Sequence, residues 1–506
     1  MCTKVIALSF LTLLVVFIVV VRHNRKKSSD RVASERLVAE IDFSSWIQDS
    51  LTVSPDSARV ACAARTGNKS RVVVDGKEAK KYDGIGRGYP IFSPDSRHVA
   101  YAAMVGNKYL VVLDGKEQKK YDAIGASGLI FSPDSKRLAY RGSVGEKEVV
   151  LVDAEEGKQY DGIAAGFPIF SPDSKRVAYV ATLGNRQLVV VDGKEGRQYD
   201  GTAMGTPIFS PDSQRVAYVA TLGNKQLVVL DGKEQKQYDG APGLSFSPDS
   251  KRVAYVAEVG NKQLLVLDGE EGKKYDGIGT IPIFSPDSKR VAYAAQVGDK
   301  RLVVVDEKEE KEYDDVGKGS LIFSPDSKRV AYSAQLGDKR LVVVDEKEGN
   351  EYDGIGQGSL IFSPDSKRVA YSALVGKKWF VVVDGKEEKK YDATMDGTPI
   401  FSPDGRHVAY AAVLGNKYLV VLDGKEGKKY HGVWKGSLSF SPDSRHVAYV
   451  AMLGNKYLVV LDGKEGNRYD SLFSDSGARA VFDSPDTLHY LALKGNEIYL
   501  VEETLR

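Results

Sequence analysis

The residues of this chain that could do chemistry come in copies. Ser-Pro-Asp recurs with its proline at 55, 94, 133, 172, 211, 248, 286, 325, 364, 403 and 442, and a degenerate copy holds Pro485. Serine beside aspartate suggests a hydrolytic site, but a nucleophile needs one base and one orienting partner, not a dozen equal copies. Serine, proline and aspartate in that order are instead the residues of a type I turn, so the triplets are expected to be structural. Of the six histidines, His98, His407 and His446 stand where other copies have arginine, and a position that accepts arginine is no metal ligand. There is no zinc spacing, and Asp-rich stretches such as Tyr313-Asp314-Asp315 lack the ligand count of a calcium loop. No metal, no cofactor and no catalytic residue is expected.

Residues that break the repeat are the better candidates for a site. His431 replaces the Asp that usually follows Tyr, and Trp434 falls in the same loop. Trp379 and Phe380 replace pairs such as Gln-Leu or Tyr-Leu. Large aromatics in loops are typical contact anchors, so Trp379, Phe380, His431 and Trp434 are the expected binding residues. The recurring Tyr-Asp-Gly (Tyr160-Asp161-Gly162, Tyr275-Asp276-Gly277, Tyr352-Asp353-Gly354) is expected to pack its tyrosine between units and close a turn with its aspartate.

What positions all of these is the repeat itself. Successive prolines are 39, 39, 39, 39, 37, 38, 39, 39, 39, 39 and 43 residues apart, giving twelve units after Leu37. The unit GSLIFSPDSKRVAYSAQLGDKRLVVVDEKEGNEYDGI from Gly319 predicts four short strands: a at Ser320 to Phe323, b at Arg329 to Ala334, c at Arg340 to Asp345, and d around Asn350 to Tyr352. The continuous Leu-Val-Val-Val run of strand c suits a strand covered on both faces. Four antiparallel strands in about 40 residues, repeated in tandem, predict successive blades of a β-propeller. Charge in strand d fits an outer edge that must resist pairing with other sheets. A solenoid is the alternative, but turns every three to seven residues leave it no helix or long ladder.

The chain ends suggest how such an array closes. Val38 to Phe43 aligns with strand d, whereas the last unit stops after strand c, so first and last strands can share a blade. A cut near Gly269 gives two halves of this same form, and the short spacings flank it. Propellers of four to eight blades are usual, which favours two six-bladed rings over a 7+5 split or a single twelve-bladed ring. The expected fold class is all-β: tandem β-propellers of about twelve four-stranded blades, divided 6+6, after one N-terminal transmembrane helix. The limits expected are 1–27 for the anchor with its basic flank, 28–37 for a polar tether, 38–268 for the first propeller and 269–506 for the second.

The string FSPDSKRVAY, at Phe284 to Tyr293, Phe323 to Tyr332 and Phe362 to Tyr371, with FSPDGRHVAY from Phe401, resembles the WD-repeat-like propeller repeat of the Pro-Asp variety. That repeat is found in TolB-type propellers and in the propeller domains of prolyl oligopeptidase-like peptidases. The resemblance covers nearly all of the chain beyond its N-terminal segment. It implies the fold, six blades as the common count, and an exported location. The hydrolase domain of the peptidase relatives, with its Gly-x-Ser-x-Gly elbow, has no counterpart here.

The bulk composition narrows the functions. Over 506 residues, 71 Lys and Arg balance 69 Asp and Glu and are finely mixed, which argues against a nucleic-acid surface. The two cysteines, Cys2 and Cys62, flank an apolar segment and imply no disulfide framework. Val5 to Val21 is uncharged, and at about 1.5 Å per residue it spans roughly 26 Å, enough for a short membrane helix. No small-residue cleavage pattern follows, so a single-pass anchor is expected over a cleaved signal peptide. The basic flank Arg22 to Lys27 puts the large domain in the cytoplasm, against the exported location that the resemblance implies. The expected function is binding or scaffolding, with a protein, peptide or glycan recognised by loops at the ring mouths. The alternatives are a propeller enzyme, hydrolase or lyase, with a channel site, and a purely structural repeat protein.

Overall fold

The computed structural model describes residues 31–505 apart from 89, 126–127, 165, 167, 280, 474–476 and 478. Twelve antiparallel sheets follow one another along the chain, and in the first eleven the strands of each blade run a, b, c, d in sequence. In the eighth blade, strand b is Val330–Leu336, strand c is Lys339–Val344 and strand d begins as Lys347–Glu348. Strand a comes in two pieces, Asp315–Val316 and Ile322–Phe323, both paired with strand b.

The turns follow from their residues. Between a and b, the Ser327 amide donates to the Ser324 carbonyl at 2.8 Å, and Ser327 sits at φ +67°. The Ser324 hydroxyl donates to Asp326 at 2.6 Å and accepts from the Arg329 amide at 2.9 Å. That hydroxyl is the largest cause holding the Asp326 carboxyl below its usual range. Between c and d, Asp345 and Glu346 both have positive φ, as in the type I′ turn that matches hairpin twist. Strand d carries one extra residue, since Val343 faces Glu348 but Arg340 faces Tyr352, a bulge that bends this charged outer edge.

There is no central core; apolar packing lies between blades. One cluster joins Ala331 and Val342 of blade 8 to Tyr371, Phe380 and Val382 of blade 9. Polar groups repeat the same junction. The Asp326 amide donates to Ser366 of the next blade at 2.9 Å, and Arg329 reaches the Ser366 and Lys367 carbonyls while lying over the Phe362 ring. Where His98, His407 and His446 replace the arginine, they reach the equivalent carboxylates of Asp114, Asp423 and Asp462 at 2.6–2.7 Å. At eleven junctions the tyrosine ending strand d meets the tyrosine of the next strand b edge to face, with centroids 6.0–6.4 Å apart.

The ring closes once, which corrects the expected fold class. Arg31–Glu40 pairs with Glu497–Leu505 and becomes strand d of the twelfth blade. The expected cut near Gly269 lies inside a hairpin: Lys262–Leu267 pairs with Glu270–Tyr275, and Leu265 packs against Tyr293 of the seventh blade. Blade 12 in turn packs Leu491 and Leu500 against Val60 of blade 1. The chain is therefore one twelve-bladed propeller rather than two six-bladed rings. The short spacings have a local cause, because blades 6 and 7 have shorter links within strand a. The expected N-terminal transmembrane helix is not part of the fold class either. Among the described residues there is no helix, and Val5 to Val21 lies outside them.

Closure uses residues found nowhere else in the ring. Arg31 and Glu503 form a buried ion pair, with side chains 6% and 1% exposed. Glu503 also accepts the Tyr490 hydroxyl at 2.6 Å, and Arg31 reaches the Lys464 carbonyl of blade 11 at 3.0 Å. His489 bridges Asp483, at 2.8 Å, and the Asp56 carbonyl of blade 1, at 2.6 Å.

Candidate functional site

The innermost strand is where the blades differ. Between Val316 and Ile322 strand a advances six residues while strand b, from Ala334 to Ala331, advances three. The surplus forms a loop, Gly317 to Leu321, at the inner rim. Its Ser320 amide donates to the Gly317 carbonyl at 3.0 Å and Gly319 sits at φ +71°, the geometry of a type II turn with glycine third. The Ser320 hydroxyl donates to Gly317 at 2.6 Å and accepts from the Ser333 amide at 3.0 Å, fixing the turn to strand b. Ser359, Thr398 and Ser437 make the same first bond in later blades. In blades 8 to 11 each loop is thus a turn fixed by its own hydrogen bonds, with the residue before its glycine exposed.

That side chain changes from blade to blade. It is Arg87 in blade 2, Met204 in blade 5, and Lys318, Gln357, Asp396 and Lys435 in blades 8 to 11. By contrast, the strand-b tyrosine recurs in eleven of the twelve units. Met204 is fully exposed and Ile281, on the shorter loop of blade 7, is 61% exposed. The rim therefore has an apolar arc over blades 5 to 7 and a charged one over blades 8 to 11.

The opening these loops face is wide. Twelve blades share a full turn at about 30° each. Sheets pack ~10 Å apart, so the mid-blade circle is ~120 Å around and ~19 Å in radius. The innermost strand, about one and a half spacings of ~4.8 Å closer in, lies ~12 Å from the axis. Side chains cannot fill such a space, unlike the interior of a small barrel.

The four residues expected from sequence do not form one site. Phe380 is fully buried in strand c of blade 9, edge to face with Tyr352 at 5.6 Å. Trp379, beside it, is half-buried and bridges to Tyr391. His431 enters blade 11 and takes over the acceptor role of the usual aspartate. Its Nδ1 receives the Gly454 amide at 3.0 Å, as Asp353 receives that of Gly376 at 2.5 Å. Trp434 alone stands on the inner rim, 42% exposed and edge to face with Tyr457 at 5.8 Å. Its neighbour Lys435 pairs with Asp396 of blade 10 at 2.9 Å, and Gly477 of blade 12 lies against its indole, linking three adjacent loops. Met204, Ile281 and the charged rim residues are ordinary in size and type, so single units give no sign of them. Comparing the units column by column exposes them, since the loop position changes residue type between blades.

Among the described residues no group of three or more His, Cys, Asp or Glu side chains is placed to hold a metal. No family model matches the chain, and no curated protein is similar to it. Solved structures similar to it include a eukaryotic initiation factor, at 15% identity and TM-score 0.36 over 65% of this chain and 96% of that one. TolB from Acinetobacter baumannii matches at 17% identity and TM-score 0.24, over 50% and 78%. The β-propeller domain of the Trilobed protease from Pyrococcus furiosus matches at 15% and 0.26, over 53% and 95%. At TM-scores this low the likenesses carry no argument about this chain.

Proposed function

We propose that the protein is a non-catalytic binding scaffold whose inner-rim turns together recognise a partner at the mouth of the central opening. The observation that carries this is the change of side chain from blade to blade at exposed turns held by their own hydrogen bonds. The fold alone implies no activity, so the argument rests on those turns. An apolar arc beside a charged arc favours an amphipathic polypeptide segment over a glycan. The patch of Trp434, Lys435 and Asp396 is the expected anchor, because an exposed aromatic flanked by charge is a common hot spot. A photo-crosslinking residue placed at Met204 or Trp434 should capture a partner that one placed at Lys119, on the outer edge, does not. Equal capture from both positions would remove the inner rim as the site.

A further inference from the structure

The junction between blades 12 and 1 differs from the other eleven. The strand-d tyrosine is replaced there by Ala39 and the strand-b tyrosine by Cys62. The buried leucine of strand c, Leu110 in the next blade, becomes Arg71. Two aromatic rings are missing, and a cavity of about 90 Å³ lies between Ala39, Trp46, Cys62 and Arg71. Apolar side chains such as Ile41, Leu51 and Val60 share its walls with Glu40, Asp42 and Asp75, and burial pushes the Cys62 thiol up to about 11, so it is a neutral wall group.

Of the polar groups in those walls, Arg71 and Glu78 stand where the missing ring pair would be. At five other junctions the strand-d tyrosine donates its hydroxyl to a glutamate on the next blade, among them Tyr121 to Glu156 at 2.6 Å, Tyr199 to Glu234 at 2.8 Å, and Tyr469 to Glu35 at 2.6 Å. The equivalent carboxylate here is Glu78, which has no tyrosine to receive and is met by Arg71 at 2.6 Å. The Arg71 side chain is 12% exposed, and its Nε is buried with no hydrogen-bond partner among the described residues. A buried donor left unpaired costs ~1–3 kcal/mol, so a ligand supplying an acceptor gains by meeting it.

We infer that this cavity is a binding site for a small phenol, whose ring takes the space of the missing tyrosines. Its hydroxyl donates to Glu78, as Tyr121 does to Glu156, and accepts from Arg71 Nε. An apolar cavity of ~150 Å³ takes benzene, and this one is smaller but open on one side, so it encloses at most a single ring, with any longer substituent left outside the opening. The site is independent of the inner rim and stands or falls separately from the proposed function.

The test uses the full chain carrying Cys2→Ser, which leaves Cys62 as its one thiol. The rate of Cys62 alkylation is measured with p-cresol, N-acetyl-tyrosinamide or toluene. A ligand that binds only the closed junction slows modification by about 1 + [L]/Kd, so ~10-fold protection is expected at ten times Kd. Protection by p-cresol alone identifies a free phenol, and protection by both phenols identifies a tyrosine side chain; both support the site. Equal protection by toluene reduces the cavity to an unspecific apolar void, and no protection by any probe reduces it to a packing gap; both overturn the inference. Ala39→Tyr should abolish protection by filling the space. Arg71→Leu, which restores the residue of the repeat, should weaken p-cresol protection at least fivefold without loss of fold.

Discussion

Replacing Arg31 by methionine tests whether the ring is locked by one buried ion pair. In the native junction the Glu503 carboxylate is 1% exposed and shared between Arg31 and the Tyr490 hydroxyl. Removing the guanidinium leaves a carboxylate buried without its counter-charge, which costs ~3–5 kcal/mol. The cost falls on the pairing of Arg31–Glu40 with Glu497–Leu505, so it should appear as local opening rather than whole-chain unfolding. At 1.4 kcal/mol per tenfold, amide exchange in Glu497–Leu505 should quicken by ~10²–10⁴-fold while the Val330–Leu336 amides hold their rates. Replacing Glu503 by leucine in the same protein should recover most of the loss, because no lone charge then remains buried. Tyr490→Phe removes the orphaned hydroxyl and should complete the recovery. Exchange in Arg31→Met within threefold of the native rate, or a double variant as open as the single one, would refute the argument.

Four further outcomes concern the junctions and the turns. Tyr391→Ala, which removes one ring of the pair with Tyr410, should destabilise the ring by ~3–5 kcal/mol in calorimetry. His431→Asp should leave stability within ~1 kcal/mol of the native protein, because aspartate accepts from Gly454 equally well and regains an exposed pairing with Lys417. His431→Ala should cost ~1 kcal/mol through the lost acceptor, read as a shift in the urea midpoint. The turn carboxyls Asp287 and Asp326, held low chiefly by serine hydroxyls, and Asp161 and Asp353, held low chiefly by lysines, share one sign. Their folded pKa values lie below the unfolded 3.8, so the unfolded chain binds more protons in between. Melting temperature should stay level above about pH 5 and fall as pH drops below about 4; a rise on acidification would contradict the turn geometry.

Much of this was legible because the unit states its turns in residue chemistry. Ser-Pro-Asp-Ser fixes a turn by its side-chain bonds, and Asp-Gly after a valine run fixes a hairpin, so four strands follow from one copy. The closing strand was legible too, although Arg31 to Leu37 belongs to it rather than to a tether. The ring count was not. Whether neighbouring sheets turn by about 30° or about 60° depends on small differences in packing that hydrophobic alternation does not encode. The aromatics misled for a related reason. Phe380 looked unusual yet only fills the place of a core leucine, while the lysine, glutamine and methionine of the rim looked ordinary and are exposed. Variation among copies, rather than size of side chain, was the better guide.

The near-identity of the blades leaves a folding chain with few cues for choosing partners. Any strand c could accept almost any strand d, and only tethering through short turns selects the right one. The segment Arg31–Glu40 is the exception, since Arg-Val-Ala-Ser-Glu-Arg-Leu-Val-Ala-Glu matches no other outer strand. It works as an address label that names the last sheet as its destination. The number of sheets between label and destination is then open to revision: losing one unit asks each junction to turn by only about 3° more. Copy number in such a gene can drift with the closure left untouched.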